Sequence, residues 1–114
     1  MERRAKYNAR KVTVDGITFD SQKEARRYSE LRLAQVAGEI SRLLVHPRFE
    51  LQPAFEHRGK TIKSIYYEAD FQYQDNSNGA TVIEDTKGFE NRVFLIKQKM
   101  FIYKYPGLDF RVIK

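Results

Sequence analysis

Asp70, Asp85 and Lys87 are two acids and a lysine from which a hydrolytic centre can be built. Asp75-Asn76-Ser77-Asn78-Gly79 is a dense run of turn formers, and a hairpin turn centred between Ser77 and Asn78 sets Asp70 opposite Asp85. Carboxylates directly opposed across an antiparallel pair repel one another, and a cation between them reverses that penalty. Lys87 shares the face of Asp85 because alternate strand residues point the same way. The adjacent Glu84 points to the other face unless a bulge exchanges the two. Such a cluster suits phosphodiester hydrolysis, which needs positive charge at the phosphorus oxygens, an activated water and help for the leaving oxygen. In this reading Asp70 and Asp85 hold a metal ion, the backbone carbonyl of Thr86 is a further ligand, and Lys87 positions or activates the attacking water. The competing account is a surface salt bridge on an exposed hairpin, nearly neutral in energy.

The chain has no cysteine, so disulfides, thiolate chemistry and cysteine-based zinc sites are excluded, and His46 and His57 are the remaining nitrogen ligands. Each stands beside a proline or a turn and reads as structural or solvent-exposed. A metal then leans on oxygen, which favours Mg²⁺, with Mn²⁺ able to substitute. The formal charge of +6 suits a polyanionic partner such as nucleic acid.

The chain has 114 residues, a length suited to one domain. With 41% hydrophobic residues, including 8 Phe and 7 Tyr, the chain can bury a core. No apolar run is long enough to span a membrane and Met1-Glu2-Arg3-Arg4 opens no secretory signal, so a cytoplasmic protein without membrane contact is expected. Residues 1–11 read as a flexible basic arm and 12–114 as the domain. Asp15-Gly16 predicts a tight type I′ hairpin between Lys11–Val14 and Ile17–Phe19. Ser21 with Glu24 forms a capping-box pattern that starts a helix over 21–37, with Ala25, Tyr28, Leu31 and Leu33 as its apolar face and Gly38 as its stop. Three antiparallel strands are predicted at Phe49–Phe55, Thr61–Tyr73 and Ala80–Thr86. A helix over 90–105 follows, burying Val93, Phe94, Ile96, Met100, Phe101 and Tyr103, and a strand from Leu108 to Ile113 returns parallel to the strand of the 80s. The fold class is α/β, a helix, three antiparallel strands, a helix and a strand on a mixed sheet, preceded by the hairpin.

Asp70 on one strand and Asp85-Thr86-Lys87 on the next resemble the PD-(D/E)XK nuclease motif. More closely, FDSQKEARRYSEL, YYEADF, VIEDTKG and FLIKQKMFIYKYP resemble a phage-encoded family of that superfamily, catalogued without an assigned function. The resemblance covers nearly the whole chain and implies a restriction-endonuclease-like core and a Mg²⁺-dependent DNA endonuclease. The related phage endonuclease I and Holliday-junction resolvases imply branched DNA as substrate, a homodimer on a symmetric junction, and the bacterial host cytoplasm as the location. In such relatives a first-helix glutamate joins the metal site, and the matching residue is Glu24; as a capping-box glutamate it needs no further role, and both readings stay open. Ala69 stands where the motif has proline, a departure of little consequence because the acid is what coordinates.

Arg92, Lys97 and Lys99 on the second helix, and Arg10 and Lys11 of the arm, are the expected DNA contacts. Lys97 leads them by its distance from the motif lysine, as in similar nucleases. Lys104 reads as part of a solvated face, and Tyr66, Tyr67, Phe101 and Tyr103 as core rather than base-stacking groups. The alternative function is a non-catalytic DNA-binding or recombination accessory protein with the same fold.

Overall fold

A computed structural model describes residues 10–86 and 91–114. Two strands, β1 (Val12–Val14) and β2 (Ile17–Phe19), form the expected hairpin. Its turn residues Asp15 and Gly16 have φ of 53° and 77°, the left-handed pair that a type I′ turn requires and that Gly16 adopts without strain. Helix α1 (Gln22–Val36) starts at the Ser21 cap, whose Oγ accepts from the Glu24 amide at 3.1 Å. It stops where Gly38 turns left-handed at φ 81°.

The next segments are β3 (Ile40–Val45), β4 (Arg48–Gln52) and β5 (Phe55–His57), then β6 (Lys60–Ile62), β7 (Ile65–Glu68) and β8 (Phe71–Asp75). They form one long ribbon folded back at Arg58-Gly59, pairing β5 with β6, β4 with β7 and β3 with β8. Strand β9 (Thr81–Thr86), helix α2 (Arg92–Lys104) and strand β10 (Asp109–Ile113) complete the chain. The central sheet has the order β10-β9-β8-β3, with β9 antiparallel to β8 and parallel to β10. No helix among the described residues is long and apolar enough to cross a membrane.

The α/β class, the mixed sheet, its hairpin register and the parallel last strand match the sequence reading, but the antiparallel trio does not. Its first strand is Ile40–Val45, not Phe49–Phe55, and the expected long strand Thr61–Tyr73 is three strands separated by breaks. Positive φ at Arg42 (59°) and His46 (58°) bends the ribbon. Of the ribbon only β3 and β8 therefore stay in the main sheet; β4 and β7 pair separately and pack beneath α2, and β5 and β6 form a further two-stranded pair.

Two cores flank β9, whose adjacent residues point to opposite faces. Val82 joins Phe19, Ala25, Tyr28, Leu31, Phe71 and Tyr73 beneath α1. Ile83 joins Leu51, Tyr67, Ala69 and Phe101 beneath α2. In α2 the expected core set is too broad. Phe94 and Phe101, seven residues apart, share the inward face with Met100 at its edge. Val93, Ile96 and Tyr103 lie well round the helix and remain exposed, Tyr103 at 88%.

Candidate metal centre

The ribbon changes layers at His46-Pro47 and Ala69-Asp70. Leu44 pairs with Gln72 and Val45 with Phe71 on one side, Arg48 with Glu68 on the other, so the same offset carries through and sets His46 opposite Asp70. The His46 amide donates to the Asp70 carbonyl at 2.9 Å, and the Ala69 amide to the Pro47 carbonyl at 3.0 Å. Yet Tyr67 and Ala69 pack with Ile83, whereas Phe71 and Tyr73 pack with Val82. The strand alternation is interrupted at Asp70, and an interruption of this kind re-aims a side chain that a regular strand would commit to one face.

Glu24 meets these two from α1. Its Oε1 accepts from the Asp20 amide at 3.3 Å, and its Oε2 lies 2.7 Å from His46 Nε2. One carboxylate thus caps the helix start and reaches the ribbon, so its two readings are compatible. Ligand atoms of Glu24, His46 and Asp70 all lie within 4.8 Å of one another. Asp70 is fixed from the other side: its Oδ2 accepts from both the amide and the hydroxyl of Thr86, each at 2.6 Å. Burial and the neighbouring Asp70 charge push the Glu24 carboxyl above its ordinary range, opposed by its contact with His46. Two acids crowded in a half-buried site are the arrangement a divalent cation relieves. The donor set fits such an ion, and the imidazole suits Mn²⁺ and other first-row ions better than Mg²⁺.

Asp85 is fully buried on the α2 side of β9 and accepts a hydrogen bond from the Tyr67 hydroxyl. Burial, followed by the Asp85 charge, holds the Tyr67 phenol well above its ordinary range. Glu84 faces α1. There the Arg27 guanidinium grips it twice, at 2.8 and 2.7 Å, and the Tyr73 hydroxyl donates to it at 2.5 Å. The two neighbouring acids therefore point oppositely, and Glu84 is tied into a buried ion pair.

Of the residues expected from sequence, the structure brings together Glu24 and Asp70, with Thr86 bonded to Asp70. Asp85 is not in the three-residue group, and lies with Tyr67 on the α2 side of β9. Lys87 lies outside the described residues, as do residues 1–9 of the arm. Of the remaining arm residues, Arg10 is exposed and Lys11 pairs with Asp20 at 3.3 Å. Arg92 and Lys99 are exposed and Lys97 is half-buried. His46 was missed. Its place beside a proline favours a structural or exposed reading, and a pairing counted straight back from the Arg58-Gly59 turn would set it opposite Phe71; the register shift between Glu50 and Gln52 is what brings it opposite Asp70.

The fold and site define an α/β protein with a mixed sheet and a carboxylate–imidazole cluster at a ribbon break. The chain belongs to the family described as "Protein of unknown function (DUF1064)", whose model matches residues 4–114. No curated protein matches the chain, and no solved structure does.

Proposed function

We propose that this protein is a metal-dependent DNA endonuclease of the PD-(D/E)XK kind, acting on branched DNA. The observation that carries the reading is the convergence of Glu24, His46 and Asp70 from three separate segments. The order of α1, the antiparallel β3, β8 and β9, then α2 and the parallel β10 agrees with a restriction-endonuclease-like core.

In this proposal Glu24, Asp70 and His46 hold the cation, Mn²⁺ or Mg²⁺. Bound there, it supplies positive charge to a phosphate and acidifies a water. Thr86 fixes the Asp70 carboxylate through two donated hydrogen bonds, so the acid keeps one orientation as substrate arrives. Asp85, which accepts from the Tyr67 hydroxyl, is assigned a supporting role. Lys87, the residue after Thr86, orients the attacking water.

The test is incubation with linear, nicked and four-way-junction DNA in Mn²⁺, Mg²⁺ or EDTA, beside Asp70→Asn. Cation-dependent cleavage absent from the variant is the expected result. DNA binding without product in either cation would replace the enzyme by a non-catalytic accessory protein.

A further inference from the structure

Residues 53–63 are exposed without interruption and contain the whole of β5 and β6. Among the described residues these two strands pair only with each other. A two-stranded hairpin is marginal by itself in water, so core burial does not account for this tip. Its register sets Phe55 with Ile62, Glu56 with Thr61 and His57 with Lys60. Cross-strand partners share a face and successive residues alternate. Phe55, Ile62, His57 and Lys60 therefore stand on one side. Glu56 stands on the other, where its carboxylate accepts from the Thr61 hydroxyl at 2.7 Å. Phe55 and Ile62 keep 46% and 39% of their surfaces exposed, an apolar pair left open to solvent.

The charge of the tip complements a polyanion. Residues 53–63 hold three cations, Arg58, Lys60 and Lys63, against the single acid Glu56, a formal +2 with that acid counted in full. Among the described residues none of the three cations enters an ion pair. Arg58 and Gly59 have φ of 51° and 77°, the same left-handed pair as Asp15 and Gly16. That first turn position favours Asn or Asp, which the β1–β2 turn supplies, so backbone preference does not explain a guanidinium at this tip. A two-stranded ribbon is also one of the elements that the major groove of B-DNA, about 12 Å wide, admits. Apolar side chains meet thymine methyls there, and cations reach guanine edges and the flanking phosphates.

We infer that the β5–β6 hairpin enters the major groove of duplex DNA, with Phe55 and Ile62 toward the base edges and Arg58, Lys60 and Lys63 on guanines and flanking phosphates. Arg58 is twelve residues from both His46 and Asp70. The tip therefore reaches at most ~40 Å from the metal cluster, about 12 base pairs of duplex. As a contact with a substrate's own duplex this rests on the nuclease reading; as a groove contact it is measured without cleavage.

The measurement is fluorescence anisotropy of a labelled four-way DNA junction and a labelled RNA duplex, in Ca²⁺ over a salt series. The full chain is compared with Arg58→Asn/Lys60→Thr and with Lys99→Gln/Lys104→Gln, which removes the same charge from exposed positions of α2. Asn suits the turn, so the hairpin variant should melt no lower than the wild type; Lys60→Gln/Lys63→Gln replaces it should it misfold. It should bind the DNA junction at least about tenfold more weakly than the α2 variant does, with the log–log salt slope falling by about one unit per lost phosphate contact. The deep, narrow major groove of RNA excludes side chains, so affinity for the RNA duplex should change no more than in the α2 variant. Guanine N7 lies in the major groove, and its protection from dimethyl sulfate in the junction arms should vanish in the hairpin variant. An equal loss in the α2 variant, equal losses for DNA and RNA, or unchanged protection overturns the inference. So does wild-type protein that binds no DNA but sediments as a dimer dissociated by Phe55→Ser, which gives the face to a second copy. Cleavage assayed in parallel in Mn²⁺ separates the two claims. Hairpin-dependent protection without cleavage keeps the groove contact and removes the endonuclease, while cleavage with binding and protection unimpaired in the hairpin variant removes the groove contact alone.

Discussion

His46 and Asp70 face each other across the break in the ribbon, joined through the His46 amide and the Asp70 carbonyl at 2.9 Å. The backbone bond fixes the spacing of the two residues. The break frees their side chains to meet Glu24 of α1, so the cluster is assembled by main-chain pairing rather than by surface side chains adopting a chance contact.

Cation binding should stabilise the fold through this cluster. In thermal melts at a Mn²⁺ concentration about 100 times the dissociation constant, the wild type gains ~2.7 kcal/mol. Asp70→Asn should show no such gain, yet in EDTA it should be at least as stable as the wild type because Glu24 no longer faces a second negative charge. A variant that still gains stability from Mn²⁺ would move the ion elsewhere.

Glu24 makes its own contribution to the pH dependence of the cation-free protein. Its carboxyl is raised above 4.5 in the fold, so the native state binds more protons than the unfolded chain in that window. The Glu24 contribution to stability should then fall as pH rises from below 4.5 through the raised folded value. Glu24→Gln keeps a capping side chain and should flatten that fall in denaturant titrations run in EDTA. An identical pH profile in both proteins would show that the Glu24 environment is not as described.

Glu84 and Arg27 form a buried ion pair with a structural task. Glu84→Gln removes the charge and leaves Arg27 facing an amide, which should cost about 3 kcal/mol in urea unfolding, the lower end of the range for breaking such pairs because Arg27 is itself partly exposed. The cation-induced gain in stability should persist. Its loss would connect the ion pair to the metal cluster directly.

Asp85 tests the division of labour between the acids. Asp85→Asn should lower cleavage about 10–100-fold, the usual effect of a supporting group, while keeping most of the Mn²⁺-induced stabilisation. Tyr67→Phe removes the hydroxyl that Asp85 accepts from and should destabilise the protein by ~1–3 kcal/mol. Loss of the whole cation response in Asp85→Asn would make Asp85 a direct ligand.

Local chemistry was legible in the residues. Asp15-Gly16 wrote its own turn, Ser21 and Glu24 marked the start of α1, Gly38 ended it, and the turn formers at 75–79 set the pairing of β8 with β9. Each depends on residues a few positions apart, whose backbone preferences and hydrogen bonds act within one turn. That is why the register bringing the chain past Asp70 toward Asp85 could be read before any fold was known.

The partners of Asp70 were decided by tertiary structure. Alternation along a regular strand would keep residues 67, 69, 71 and 73 on one face, but the left-handed turn at His46 and the break at Asp70 send Tyr67 and Ala69 to one core and Phe71 and Tyr73 to the other. Whether a strand bends or continues depends on which hydrophobic layer lies beneath it, and both layers are built from residues distant in the chain. His46 therefore became a neighbour of Glu24 and Asp70, and Asp85 a neighbour of Tyr67, through packing that no short stretch of sequence specifies.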